Sequence, residues 1–344
     1  MGGHVLFETG IRRLGSKENG FFYRYPGTGE TVREERVLAR IEDLKVPPAW
    51  EDARIARSPS TKVQAVGYDS AGRLQYLYSV KYREHKEREK FERVLRFADA
   101  LPRMRKTTSH HLRRKELGPE KVLAAMTRLM NAAYFRVGDE RYAKKNRTYG
   151  IATLRRKHLR IDGDTMAFEY SGKWGQIQRK VVTDRRLREV VEECVRLPGY
   201  EVFKYLDEGG EVRDVKARDL NAYVKQVMGD EFTPKDFRTW AGTLIAAVKL
   251  AELGPVAEPE HTDKNVLAAV DAVAERLGNT RDTARASYIS PRVIDHYLEG
   301  SVVAYHAEHL EEVIIAEQGG LTEGEKALLD LLKKRLRCDL RKAA

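Results

Sequence analysis

The chain has 344 residues, 42% of them hydrophobic, and its 63 Lys and Arg against 52 Asp and Glu give a net charge of +11. This length accommodates two domains, and so large a positive charge is typical of proteins that bind a polyanion, either nucleic acid or an anionic membrane surface. No run of 18 apolar residues is present, which argues against a transmembrane helix, and two isolated cysteines argue against a zinc ribbon or a disulfide scaffold. The amino terminus lacks a basic region followed by an apolar block, so we expect no signal peptide and a cytoplasmic location.

Residues 1–88 are predicted to form a small domain rich in β-strands. Short apolar or aromatic segments at 21–25, 54–56, 62–68 and 73–78 are separated by turn residues, which is typical of an antiparallel sheet. In the last of them, alternation places Tyr76 and Tyr78 on one face and Gln75 and Leu77 on the other. These tyrosines are either half-buried residues of an edge strand or part of a DNA-facing surface.

A charged segment from Lys81 to about Arg96 is predicted to be a helical connector, and the second domain is predicted to span residues 89–344. Two basic segments follow, at 103–115 and 144–160, and the second has seven basic residues and no acidic one. Their imbalance of sign favours contact with phosphates over an ordinary solvated surface. Tyr149 lies inside the second basic segment, and Arg136 lies just before it, next to a predicted helix at 119–135.

Three segments at 159–162, 166–171 and 176–182 predict a three-stranded antiparallel sheet, and Lys173 occupies the tip of its second hairpin. The rest of the chain is predicted to be mostly helical. Thr233 and Pro234 are typical of a helix start, and Lys235 and Arg238 lie in the first turns of that helix. Each residue also has an ordinary interpretation, such as an exposed turn lysine or a structural ion pair.

The stretch from Gly278 to Pro291 is polar and offers little that a hydrophobic core would bury. It contains Asn279 directly after a glycine that fits a helix C-terminus, and one tyrosine, Tyr288. A tyrosine hydroxyl has an ordinary pKa of about 10 and becomes a useful nucleophile only where cations or donors stabilise the developing charge.

In this order and context, the residues resemble the catalytic set of the type IB DNA topoisomerases, in the compact poxvirus-like form that is also found in bacteria. The resemblance covers nearly the whole chain. It rests on Gln75-Tyr76-Leu77-Tyr78, Arg136 with Gly138, Tyr149 to Leu154, Lys157-His158, Gly172-Lys173, Lys235-Asp236-Phe237-Arg238-Thr239, Gly278-Asn279-Thr280 and Ser287-Tyr288.

The resemblance implies an α+β fold, with a small N-terminal antiparallel β-sheet domain and a larger, mainly α-helical catalytic domain that contains the three-stranded β-sheet. It implies a monomer that relaxes supercoiled double-stranded DNA through a 3′-phosphotyrosyl intermediate, without ATP, cofactor, obligatory metal or protein partner. Tyr288 would be the nucleophile, Arg136, Arg238 and Asn279 would bind the phosphate, and Lys173 would protonate the leaving oxygen. Lys235 would assist, and Gln75, Tyr76, Tyr78 and Tyr149 would contact DNA.

Poxvirus enzymes and tyrosine recombinases commonly carry His where this chain has Asn279. We expect Asn to suffice, because a neutral donor can also stabilise a phosphate oxygen. Two alternatives remain. A tyrosine recombinase shares the nucleophile, but its second arginine motif usually begins with His rather than with Lys235, and its N-terminal domain is helical. An architectural DNA-binding protein would account for the charge but not for the ordered set of residues.

Overall fold

The computed structural model describes residues 2–255, 259–305 and 320–343. The chain divides into two compact units, Met1–Phe91 and Glu92–Ala344. The division falls within the long helix α3 (Val80–Leu112), which also contains residue 88. The domain boundary expected at residue 88 stays a prediction. In the described part of the chain, no helix is long and apolar enough to span a membrane.

The first unit is built on a five-stranded antiparallel sheet in the order β2-β1-β3-β4-β5. Neighbouring residues of one strand point to opposite faces, so the sheet supports two apolar clusters. Ile55 packs with Ile41 of helix α2, and Ala56 packs with Leu6 of helix α1. Its elements are α1 (Gly2–Thr9), β1 (Ile11–Ser16), β2 (Gly20–Arg24), α2 (Glu35–Asp43), β3 (Glu51–Ile55), β4 (Val63–Tyr68) and β5 (Leu74–Tyr78).

The second unit is mainly helical and contains a three-stranded antiparallel sheet in the order β6-β7-β8 and a two-stranded sheet. Helix α8 runs through its centre and is buried along nearly its whole length. The elements are α4 (Pro119–Ala133), α5 (Glu140–Asn146), β6 (Leu159–Asp162), β7 (Thr165–Ser171), β8 (Ile177–Thr183), α6 (Arg185–Arg196), β9 (Lys204–Leu206), β10 (Val212–Asp214), α7 (Ala217–Met228), α8 (Pro234–Leu253), α9 (Pro259–Leu277), α10 (Arg281–Tyr288), α11 (Pro291–Leu298) and α12 (Glu323–Ala343).

Helix α8 begins where the sequence predicts, because its first turn is capped by its own side chains. The backbone N–H of Thr233 donates to Oδ2 of Asp236 at 2.8 Å, and Pro234 occupies the first helical position, where no N–H is needed. Nε of Arg93 also donates to Asp236, at 3.0 Å.

The predicted mixed α+β architecture and three-stranded sheet are confirmed.

Three expectations were incomplete or wrong. The elements predicted for the first unit did not include helix α1 and strand β1, because their sequences lack strong turn signals and clear periodicity. The polar stretch after Gly278 forms helix α10, begun by Thr280, whose hydroxyl accepts from the N–H of Thr283. The basic segment at 103–115 was expected to face phosphates, but Arg105 within it is fully buried and forms a bidentate ion pair with Glu325.

Candidate active site

The carboxyl end of helix α9 forms the floor of the site. Gly278 has φ +59°, its N–H donates to the carbonyl of Glu275, and the N–H of Asn279 donates to the carbonyl of Ala274. This is a Schellman motif, which ends the helix and turns the chain sharply at the glycine. The motif fixes the position of Asn279 and leaves the next carbonyls, those of residues 276 to 278, without backbone partners.

Two arginines bind those carbonyls. Nη2 of Arg238 donates to the carbonyl of Leu277 at 2.9 Å, and Nη1 donates to the carbonyl of Tyr134 at 2.6 Å. Nη2 of Arg136 donates to the carbonyl of Gly278 at 2.9 Å. Tyr134 ends helix α4 in the left-handed conformation, with φ 58°, so the turn that leads to Arg136 also presents a carbonyl to Arg238. The two guanidinium groups are therefore held by backbone carbonyls, and in the part of the chain that the structure describes neither forms an ion pair with a carboxylate.

The side chain of Asn279 is oriented by Arg136, which donates through Nη2 to Oδ1 of the amide. Since arginine has no acceptor, this contact fixes the oxygen towards Arg136 and the Nδ2 group away from it. Nδ2 of Asn279 and Nε of Arg238 are both buried and have no hydrogen-bond partner among the described residues. Unsatisfied buried donors are uncommon and costly, and an anionic ligand bound beside Tyr288 would accept from both atoms.

Tyr288 is the last residue of α10 and is 8% exposed, so it is buried although its stretch was expected to offer little to a core. Its backbone lies directly against α8. A Cβ on Gly242 would lie 2.7 Å from the carbonyl oxygen of Tyr288, so only glycine permits this approach. The hydroxyl of Thr243 is 3.2 Å from the same oxygen and accepts from the N–H of Ser290 at 3.1 Å.

The ring of Tyr288 lies beside the arginines, with Cζ of Arg238 4.9 Å from its centroid. Burial by itself raises the pKa of the hydroxyl, but the positive charges of Arg238, Arg136 and Lys235 outweigh it, so the pKa is lower than the ordinary value of 10. Lys235 itself is exposed and lies one turn before Arg238 on α8. The cations thus favour the phenolate, which is the form that attacks phosphorus.

The structure brings Tyr288, Arg136, Arg238 and Asn279 together, with Lys235 close by, whereas Lys173 is not part of this network of contacts. Lys173 is exposed at the tip between β7 and β8, and its ammonium lies 5.6 Å from the ring centroid of Trp174. Among the described residues, no hydrogen bond or ion pair joins Lys173 to the other four. Its position on an exposed tip leaves its role as the proton donor a prediction.

In the first unit, Tyr76 and Tyr78 lie on the exposed side of β5 and their rings stack with centroids 6.1 Å apart. The predicted alternation of this strand is confirmed. Gln75 points to the other side, where Nε2 donates to Asp69 at 2.9 Å. The role of Gln75, Tyr76 and Tyr78 in DNA binding stays a prediction.

Tyr149 is half-buried within the second basic segment. Its ring centroid lies 4.4 Å from that of His158, and Cζ of Arg155 lies 5.6 Å from the tyrosine ring. Nδ1 of His158 accepts from the N–H of Arg155, so this nitrogen must be unprotonated. Burial and the nearby Lys157 and Arg155 lower the pKa of His158 to about 4. Tyr149 thus belongs to a packed cluster and does not stand alone on the surface.

Sequence reasoning missed four residues that shape the site: Gly242, Thr243, Gln178 and Lys180. A Cβ on Gly278 would lie 2.4 Å from the amide of Gln178, and one on Gly172 would lie 2.7 Å from its Cγ, so Gln178 fills the space between the two glycines. Gly242 could have been noticed in the sequence as a glycine inside a predicted helix, one turn after Arg238. Among the residues whose side chains the structure describes (4–255, 260–305 and 320–334), no three His, Cys, Asp or Glu side chains are placed to ligate one metal ion.

Comparison with known proteins agrees with this geometry. Residues 79–301 match the family described as the catalytic core of eukaryotic DNA topoisomerase I, and residues 20–69 match the N-terminal domain of bacterial DNA topoisomerase IB. The chain is 30% identical over 295 residues to DNA topoisomerase 1B of Acanthamoeba polyphaga mimivirus, covering 84% of this chain and 87% of the viral protein. It is 20% identical over 272 residues to DNA topoisomerase 1B of Vaccinia virus (strain Copenhagen), covering 77% and 81% of the two chains.

Among solved structures, the XerH site-specific recombinase bound to its difH substrate is similar at a TM-score of 0.33 and 10% identity, over 64% of this chain and 55% of the recombinase chain. That score is too low to carry an argument, whereas the first family match alone spans more than half of this chain. The sequence resemblance to this family is confirmed, and the chain belongs to the type IB DNA topoisomerases.

Proposed function

We propose that this protein relaxes positive and negative supercoils in double-stranded DNA by cutting and resealing one strand, as a monomer in the bacterial cytoplasm, without ATP or an obligatory metal. The observation that carries the proposal is a pair of buried donors, Nε of Arg238 and Nδ2 of Asn279, which have no partner in the described part of the chain and lie beside a tyrosine whose pKa is lowered. Together they form a site for an anion next to a nucleophile. The match to a bacterial N-terminal domain supports the bacterial setting.

In the proposed reaction, the Tyr288 oxygen attacks the scissile phosphorus in line and loses its proton to solvent. The new bond joins the tyrosine oxygen to phosphorus, and the bond from phosphorus to the 5′ oxygen of the next nucleotide breaks. Arg136 and Arg238 stabilise the negative charge on the non-bridging oxygens, and Asn279 adds a neutral donor. Because the phosphodiester energy is kept in the phosphotyrosyl bond, attack by the released 5′ hydroxyl reverses the reaction without ATP.

The leaving 5′ oxygen requires a proton, and we assign this role to Lys173. Its place at an exposed hairpin tip is compatible with approach to bound DNA, and Lys235 assists from the first turn of α8. The proposal predicts that Lys173→Ala slows cleavage of an ordinary duplex far more than that of a duplex with a 5′-thiolate leaving group, which needs no proton. Equal slowing of both substrates would remove Lys173 from this role.

Binding of duplex DNA is proposed to depend largely on phosphate contacts made by the basic segment at 144–160 and by Gln75, Tyr76 and Tyr78, with Tyr149 supporting the segment from within. Such contacts release counterions, so affinity should fall steeply as salt increases.

Relaxation of plasmids in EDTA and without ATP tests the function directly. The wild-type chain should relax positively and negatively supercoiled plasmids alike, and no recombinant plasmids should form. The matched variant is Tyr288→Phe, which removes only the hydroxyl and should abolish relaxation while DNA affinity stays within about twofold. Relaxation that persists in Tyr288→Phe, or that requires ATP, would contradict the proposal.

A further inference from the structure

On strand β8, two polar side chains face inward and two apolar side chains face outward. Its burial alternates along the strand, so Gln178, Lys180 and Val182 point inward, while Ile177 and Val181 are 60% and 65% exposed. The opposite orientation would bury two apolar side chains instead of one, but it would also bury Arg179 in place of Lys180. The strand is fixed in register with β7, where Lys180 lies opposite Phe168. A buried lysine in a strand that could have faced it outward needs an explanation from its contacts.

Lys180 completes a series of cations on the carboxyl end of α9. Its Nζ donates to the carbonyl of Arg276 at 2.8 Å, and the next two carbonyls accept from Arg238 and Arg136. The three carbonyls that the Schellman motif leaves unpaired, at 276, 277 and 278, are therefore bound by three different cationic side chains. Lys180, at 9% exposure, binds the first of the three carbonyls, that of Arg276, which is the farthest of the three from Asn279.

The surroundings of Lys180 are positive. The charges of Arg238, Arg276 and Arg136 face it, and the cavity of about 450 Å³ that it lines is also bordered by Tyr134, Arg179 and Glu275. No ion pair between Lys180 and a carboxylate occurs among the described residues. Burial, followed by the three arginine charges, lowers the pKa of Lys180 from 10.5 to about 7. A methionine of similar length would avoid this cost, so the ammonium is kept in an unfavourable place.

We propose that Lys180 is a positioning residue of the cleavage reaction, which holds the carboxyl end of α9 and adds a third positive charge behind the two guanidinium groups that bind the scissile phosphate. This inference rests on the proposed function. Lys180 makes no contact with the reacting atoms and acts through Arg136, Arg238 and Asn279, all of which are bound to or continue from the same helix end.

The charge on Lys180 makes its contribution depend on pH. Below pH 7 the side chain is a cation and adds to the field at the phosphate, and above it the neutral amine only donates a hydrogen bond to Arg276. A bound phosphate favours the cation, so the transition shifts upward in the DNA complex. A residue with a purely structural role would affect cleavage equally at every pH.

The test compares single-turnover cleavage of a suicide duplex between pH 6 and pH 9 by the full-length wild type, Lys180→Met and Lys180→Arg. Lys180→Met should cleave about tenfold or more slowly than wild type at pH 6, and the deficit should shrink towards pH 9. Lys180→Arg keeps its charge at every pH, so its rate relative to wild type should rise as the pH increases from 6 to 9. DNA affinity should stay within about twofold in both variants.

Arg185→Met is the matched control, because Arg185 is exposed in the first turn of α6 and pairs with Glu189 on the surface. It should cleave like wild type. A Lys180→Met variant that equals wild type at all pH values, or whose deficit is the same at all of them, overturns the inference. If Lys180→Met does not fold, a Lys180→Arg variant that shows the same pH profile as wild type overturns it. A wild type that forms no covalent adduct overturns the proposed function as well, whereas an active wild type beside an unaffected variant overturns this inference alone.

Discussion

Replacement of Gly242 by alanine tests how closely the nucleophile is held against α8. The added Cβ would lie 2.7 Å from the carbonyl oxygen, 2.9 Å from Cβ and 3.2 Å from the carbonyl carbon of Tyr288. Ordinary van der Waals contact begins at 3.4 Å, and two of the three neighbouring atoms are backbone, so the end of α10 must move by several tenths of an ångström. A misplacement of 1 Å at a reacting centre can slow a reaction about a hundredfold. We therefore expect Gly242→Ala to slow cleavage and resealing by about tenfold or more.

The same substitution should have a small effect on overall stability. Alanine in a helix interior is favoured over glycine by about 1 kcal/mol, which offsets part of the strain of the displaced contact. DNA affinity should also change little, because Gly242 is buried and contributes no donor to the phosphate site. The predicted signature is thus a slow enzyme that folds and binds DNA normally.

The assay is single-turnover cleavage of a suicide duplex, with DNA affinity from fluorescence anisotropy and thermal stability from circular dichroism. Gly118→Ala is the matched control, because no atom outside its immediate neighbours lies within 4 Å of the added Cβ. A second pair of variants tests the adjacent contact: Thr243→Ser keeps the hydroxyl that accepts from Ser290, and Thr243→Val removes it. A folded Gly242→Ala that cleaves at the rate of wild type would refute the argument that this contact positions Tyr288.

Two further predictions concern stability. Glu325→Gln should destabilise the second unit by about 3–5 kcal/mol, because it leaves the fully buried Arg105 without its counter-ion. Glu323→Gln, on the exposed face of the same helix, should change the free energy of unfolding by less than about 0.5 kcal/mol. Equal effects of the two substitutions in chemical denaturation would contradict this prediction. His158 has a folded pKa of about 4 against an ordinary value of 6.5, so its contribution to stability is fully present above pH 6.5 and is lost as pH falls through 4. The difference in melting temperature between wild type and His158→Gln should therefore narrow as the pH falls from 7 to 4. A constant difference would show that the pKa of His158 is the same in the folded and the unfolded state.

The sequence was most informative where local chemistry determines structure. The start of α8 follows from Thr233 and Pro234, and the end of α9 follows from Gly278, because caps and left-handed glycines act within a few residues. These two signals also place Arg238 and Asn279, so much of the site is predictable once the family motifs are recognised. The three-stranded sheet was equally clear from its turns and alternation.

The remaining features depend on contacts between distant segments, which periodicity does not reveal. Tyr288 lies in a polar stretch, and its burial follows from Gly242 and Thr243, which are 46 and 45 residues earlier in the chain. The inward direction of Lys180 could not be predicted, because alternation defines two faces of β8 but does not say which one the arginines occupy. Arg105 was predicted to belong to a basic surface because its partner, Glu325, is 220 residues away in the sequence.

The central claim is that Tyr288 attacks DNA within a cluster of Arg136, Arg238 and Asn279. The most direct test is to stop a reaction of the full-length chain with a duplex in SDS, digest the trapped adduct and identify the modified residue by mass spectrometry. The account predicts one phosphodiester link, between the hydroxyl of Tyr288 and the 3′ phosphate of the cut strand, formed in EDTA and without ATP. A link to another residue or to a 5′ phosphate, or no adduct from an enzyme that relaxes DNA, would contradict it.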